Sequence, residues 1–253
     1  MNVKNRGLLH FGHEYWRAPV VMAAVEGGRA IWFSLAPEVR RIRTRAGVST
    51  LPAVGSFPHR PQARGAQTMK EPSEILREEH VVIEHLLHVL DGMAEHVDLD
   101  NPVPERDIGT ALEVVENFAD KCHHAKEERI LFPALSRHSA HEGALLARRL
   151  HGDHEAARKL VRDLRELTPK IGAKDDRVRR EFSRKVRTYT TLLREHISQE
   201  TERLLPLIDE AIPAEERRDL AEAFERVEQE EMGAGVHAKY ERLVHQLVDR
   251  YVI

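Results

Sequence analysis

A histidine and a glutamate stand four residues apart in His123-His124-Ala125-Lys126-Glu127, and again in His196-Ile197-Ser198-Gln199-Glu200. Residues i and i+4 of a helix lie about 5–6 Å apart at Cβ, so each pair can aim an imidazole nitrogen and a carboxylate oxygen at one region of space. That arrangement suits metal binding, the imidazole holding one ion while the carboxylate bridges two. His80 and His154 extend the set to four imidazoles and two carboxylates. Six such side chains cannot saturate two six-coordinate ions, which leaves room for solvent, a further ligand and an exchangeable small molecule. Nitrogen-rich donors without thiolate suit Fe, Zn, Cu or Ni. No residue is assigned a catalytic role.

Four segments of helical period must position these side chains. The first begins near Pro72-Ser73 and carries Leu76, His80, Ile83, Leu87 and Leu90 on one face. The second follows the break at Asn101-Pro102-Val103-Pro104, with Ile108, Leu112, Val115, Ala119, His123, Glu127 and Ile130 inward. In the third, Leu146, Leu150, His154, Ala157, Val161 and Leu164 share a face. The fourth aligns Phe182, Val186, Tyr189, Leu193, His196, Glu200 and Leu204. Each ligand candidate therefore lies on an apolar stripe. Beyond Ile212-Pro213, two amphipathic stretches over 215–231 and 236–252 read as accessory helices, packed outside the main bundle or against a partner.

The inward polar residues repeat. His80 to His154 spans 74 residues, and His123 to His196, Glu127 to Glu200 and Pro133 to Pro206 each span 73, which implies two copies of one helical hairpin. Four antiparallel helices with short links make an up-down-up-down bundle, whose core can hold metal sites built from facing side chains. Without a metal, Glu127 and Glu200 would be carboxylates buried among Leu and Val, which is unfavourable unless they are neutralised or paired. Glu84, Glu128 and Glu202 read as surface ion-pairing residues, and Cys122 as a space filler. His85, His88, His96, His138, His141, His237 and His245 lie off the inner faces and read as solvated.

The totals bound the rest. A chain of 253 residues with 41% apolar content can bury a core, and its longest apolar runs fall far short of the ~20 residues of a membrane span. A single cysteine excludes an internal disulfide framework and a thiolate cage, and fits a reducing compartment such as the cytoplasm. The net charge of −3 conceals a basic segment. Residues 1–68 carry a local +7, leaving −10 for the remainder, and that acidic remainder argues against a nucleic-acid-binding core. The same segment holds both tryptophans and half of the glycines without sustained periodicity, so little regular structure is expected. It reads as a basic, Pro- and Gly-containing extension, or as leader translated upstream of a start at Met69. The domain expectation is thus the extension at 1–68, the bundle at 69–210 and accessory helices at 211–253.

The ordered pattern His80, His123-x-x-x-Glu127, His154, His196-x-x-x-Glu200, together with Glu79-His80, Glu127-Glu128-Arg129-Ile130-Leu131-Phe132-Pro133 and Leu204-Leu205-Pro206, resembles the hemerythrin-like cation-binding family over residues 72–208. The resemblance implies an all-α four-helix bundle around two iron ions, bridged by two carboxylates and an oxo or hydroxo oxygen; another divalent metal is the alternative cofactor. By position, Glu127 and Glu200 would bridge, with His80, His123, His154 and His196 as terminal ligands. Members that carry oxygen have a fifth histidine; His124 and His151 are the candidates here, with His124 preferred. The implied function is binding of O₂, NO or peroxide. Its alternatives are an enzyme acting on peroxide or NO, and an iron-responsive or iron-handling interaction module. The related iron–sulfur repair proteins carry paired cysteines that this chain lacks, and ferritin-like oxidases reverse the motif to Glu-x-x-His with carboxylates in excess.

Overall fold

The computed structural model describes residues 21–22, 32–33, 70–173, 175–231, 233 and 235–252. The chain divides into two compact units, residues 1–63 and 64–253. In the first, β1 (Val21–Met22) pairs antiparallel with β2 (Trp32–Phe33), Val21 opposite Phe33. The expectations for the rest of residues 1–68 lie outside the described residues.

The second unit is all α. Helix α1 (Pro72–Asp98) starts on a proline whose missing N–H costs nothing in a first turn, and the Glu71 N–H donates to the Glu74 carboxylate at 3.1 Å. A second rod begins as α2 (Glu105–Val114), passes through two wide-turned π segments, Val115–His124 and Glu127–Leu131, and ends as α3 (Phe132–His138). Next come α4 (Glu142–Leu167), a 3₁₀ stretch Thr168–Ala173, and α5 (Asp176–Gln199), which an Asp175 side chain caps by accepting from Arg177 N–H at 2.8 Å. Helix α5 continues through a third π segment, Glu200–Leu204, into α6 (Leu205–Ala211).

The π turns at Glu127–Leu131 and Glu200–Leu204 have a local cause. Pro133 and Pro206 can donate no hydrogen bond, and in a regular helix each ring would strike the carbonyl four residues earlier. The turn before each proline widens, so that Phe132 N–H reaches the Glu127 carbonyl and Leu205 N–H the Glu200 carbonyl. The extra residue shifts the stripe: Leu131, not Ile130, is the fully buried position after Glu127, and Ile130 is only half-buried. The expected inward face holds elsewhere in that rod.

Helices α7 (Ala214–Glu231) and α8 (Val236–Tyr251) lie against the bundle, α8 along α1 and α2, and α7 across α1 and the π segments. Gly92 of α1 permits the crossing, because a Cβ there would stand 2.0 Å from the Tyr251 carbonyl oxygen. The Tyr251 hydroxyl then donates to Asp107 at 2.8 Å, joining the end of α8 to the start of α2. Two apolar clusters result. One surrounds Leu87, Leu90, Phe118 and Phe182; the other surrounds Leu76, Leu131, Leu150 and Leu204.

Candidate metal centre

His80, at 4% exposure the most open, lies with His123, Glu127, His154, His196 and Glu200 on the four main helical rods; the other five are at most 1% exposed. Stripe register brings them together, since each occupies an inward position of its helix. Their ligand atoms form two groups, His80, His123, Glu127 and Glu200 in one, and Glu127, His154, His196 and Glu200 in the other, with the atoms of each group within 4.8 Å of one another. Both groups contain both glutamates.

The close approaches are His196 Nε2 to Glu200 Oε1 at 2.9 Å, His80 Nε2 to Glu200 Oε2 at 3.1 Å and His154 Nε2 to Glu127 Oε2 at 3.3 Å. His123 Nε2 stands 3.8 Å from Glu127 Oε1. These contacts lack hydrogen-bond alignment: both oxygens of Glu127 and of Glu200, both nitrogens of His80 and Nε2 of His123 are buried without a hydrogen-bond partner. Unsatisfied polar atoms in such number are costly in a folded core. One ligand atom of each residue converges on a common interior, and a cation there would satisfy those atoms together. The donor set therefore fits a metal.

His124 belongs to this region as well. Its Nε2 is buried and unpartnered, and it groups with His154 and His196 within the same 4.8 Å. Its ring stacks on His154 at 3.8 Å between centroids. His151, the other fifth-histidine candidate, is exposed.

The charges balance internally. Burial, and next to it the Glu200 charge, push the Glu127 carboxyl up. Burial would do the same to Glu200, but His196 and His80 outweigh it and hold that carboxyl well below the usual range. Burial would lower His196, yet Glu200 and Asp153 raise it to about 10. His123 and His154 are raised against burial by Glu127 and by Glu79 or Glu128. His124, by contrast, is held well below its ordinary value by burial and by the neighbouring imidazoles, so it stays a neutral donor. The buried carboxylates thus favour positive charge on His123, His154 and His196, the charge that a metal would bring.

Two Nδ1 atoms bond outer carboxylates, and a third, on His196, faces one without a hydrogen bond. Glu79 Oε2 lies 2.9 Å from His123 Nδ1, Glu128 Oε1 lies 2.6 Å from His154 Nδ1, and Asp153 Oδ2 lies 3.6 Å from His196 Nδ1. Such outer carboxylates orient imidazoles and raise their basicity as ligands. Glu128 is thus more than a surface residue, and Arg158 holds it at 2.8 Å. His237 is a second correction: it is inserted beside Glu228 at 3.4 Å and meets Phe118 edge-on at 4.9 Å. Cys122 is fully buried packing, as expected. His138 bonds Glu216 at 2.6 Å, far from the cluster in the fold.

The geometry agrees with comparison to known proteins. The hemerythrin HHE cation-binding domain family matches residues 71–208, and the chain belongs to that family. Uncharacterized proteins of Mycobacterium tuberculosis and Mycobacterium bovis are similar, each 24% identical over 211 residues that cover 81% of this chain and 80% of theirs. Among the described residues, no helix is long and apolar enough to cross a membrane.

Proposed function

We propose that the protein holds two iron ions between Glu127 and Glu200 and binds a small oxidant or gas, O₂, NO or peroxide, beside them. The sharing of both glutamates by two buried ligand groups is the observation that carries this reading. In it, His80 and His123 serve one ion, and His154, His196 and His124 the other. The unequal histidine count leaves the first ion the more open of the two. When bound, the metal pair supplies electrons or Lewis acidity to the small ligand.

The protein's own part is to hold, exclude and orient. The apolar clusters around Leu87 and Leu131 flank the ligands and restrict water. A cleft of about 160 Å³ reaches His124 between Val115, Ala157, Val161 and Tyr189. That volume falls below the 300–1,000 Å³ usual for organic-ligand pockets, so this cleft, on the His124 side, admits a diatomic or peroxide rather than a larger substrate. Turnover of peroxide or NO, or an iron-handling module, would use the same ligands. The single cysteine supports a reducing compartment such as the cytoplasm.

The test is a visible spectrum of the reduced, iron-loaded protein under anaerobic conditions, before and after O₂. A reversible change is expected. Absence of any response to O₂, NO or peroxide in protein carrying two irons would refute ligand binding, and iron-dependent consumption of peroxide would replace it with the enzymatic reading.

A further inference from the structure

Glu79 has no place in the ligand set, yet it is a carboxylate only 1% exposed in the first third of α1. Its Oε2 accepts from His123 Nδ1 at 2.9 Å, and its Oε1 accepts from the ammonium of Lys126. Lys126 is completely buried, and it also donates to Glu228 Oε2 of α7 at 3.2 Å. Glu228 lines a cavity of about 1070 Å³ together with Lys70, Phe224 and His237. Although Glu79, Glu228 and His237 bring donor atoms within 4.8 Å, the Lys126 ammonium already bonds both carboxylates. The group is a closed ion-pair network, and it ends on a histidine of the metal centre.

The internal repeat shows which part of this network is special. Glu79 precedes His80 and reaches across to His123; Asp153 precedes His154 and faces His196, but at 3.6 Å. Lys126 corresponds, 73 residues on, to Gln199, whose amide turns away to the Glu195 carbonyl at 3.2 Å. Of the repeat-related pair Glu79 and Asp153, Glu79 is the one held by a buried lysine. A buried lysine and glutamate pair costs desolvation that apolar side chains of similar volume would avoid, so packing alone does not account for it.

We propose that Glu79 is the positioning residue of His123, and that Lys126, tied to α7 by Glu228, fixes Glu79 for that task. The carboxylate accepts the Nδ1–H hydrogen bond, which fixes the tautomer whose Nε2 lone pair faces the space shared with Glu127 and Glu200. Helix α7, outside the family-matched residues 71–208, thereby becomes part of the metal centre's support. The inference rests on the two-metal reading given above.

Titration of the metal-free full chain with Co(II), followed by its visible absorption, tests it. Wild type should take two ions, and His80→Ala identifies the step belonging to the His80 and His123 side. In Glu79→Gln, which keeps shape and an acceptor, that step should weaken by about 10-fold or more, the usual loss for an outer-shell partner, and its absorption band should shift. The other step should hold within about threefold, well short of that loss. Glu228→Gln, at a half-exposed position, should weaken the same step by less, and it carries the test should Glu79→Gln fail to fold. Unchanged steps in the variants, or equal weakening of both steps in either, would overturn the proposal. Fewer than two ions in wild type would overturn the two-metal reading, and this inference with it.

Discussion

Replacing Glu127 by glutamine should stabilise the metal-free protein while weakening its response to metal. Glu127 and Glu200 are both 0% exposed, and their ligand atoms lie within 4.8 Å. Two unit charges at that separation repel by roughly 3 kcal/mol at an effective dielectric constant near 20. Burial and Glu200 together push the Glu127 carboxyl up, so holding it ionised at neutral pH costs stability. A neutral amide of the same shape removes that cost and can donate to Glu200. Contacts with His123 and His154 offset part of the gain, which leaves about 1–3 kcal/mol in favour of Glu127→Gln. For a domain of this size each kcal/mol moves Tm by about 2–4 °C. The sign depends on pH: a raised carboxyl destabilises as pH climbs through and above its unfolded value near 4, so the two proteins should converge in acid and separate at neutrality. With metal the order should reverse, because a ligand at about 1,000 times its Kd adds roughly 4 kcal/mol to wild type. Urea unfolding of both proteins, with chelator and with Fe(II), provides the assay. A metal-free Glu127→Gln protein less stable than wild type at neutral pH would refute the reasoning.

Three other predictions concern separate parts of the molecule. Gly92→Ala forces a Cβ onto the Tyr251 carbonyl and should cost about 1–3 kcal/mol by denaturation, with hydrogen exchange accelerated along α8. Tyr251→Phe should cost about 1 kcal/mol at neutral pH. Burial would raise Asp107, but Tyr251 and Arg250 hold it below the usual range, so the wild-type advantage should fade as pH falls through the carboxylate range. His124→Ala should lower the affinity of the ion on the His154 and His196 side by at least about tenfold while sparing the other, as read by metal titration.

The stripe of candidate ligands was legible in the sequence because its spacing is dictated by helical geometry alone. His80, His123, His154 and His196 each continue an apolar face, and a continuous apolar face can only turn inward. The 73- and 74-residue offsets then set the two halves in register. What escaped were features that depend on the neighbouring rod. Glu79 and Glu128 look like ordinary helix charges until the packing aligns them with His123 and His154, although each sits next in sequence to a ligand candidate, and that adjacency was the available signal. His237 read as solvated, and Lys126 gave no signal, because their burial depends on α7 and α8 docking against the bundle, and that docking depends on Gly92, whose role appears only once a second backbone approaches it. The step from Ile130 to Leu131 escaped because a 3.6-residue period cannot anticipate a π turn, even though Pro133 and Pro206 mark where the regular hydrogen bond must fail.

The central claim is a carboxylate-bridged pair of metal ions, and metal analysis of the protein purified from iron-replete cells tests it most directly. Two irons per chain are expected in wild type, with a large loss in Glu200→Ala, whose carboxylate belongs to both ligand groups. Iron-free wild-type protein, or an iron content unchanged by Glu200→Ala, would contradict the account.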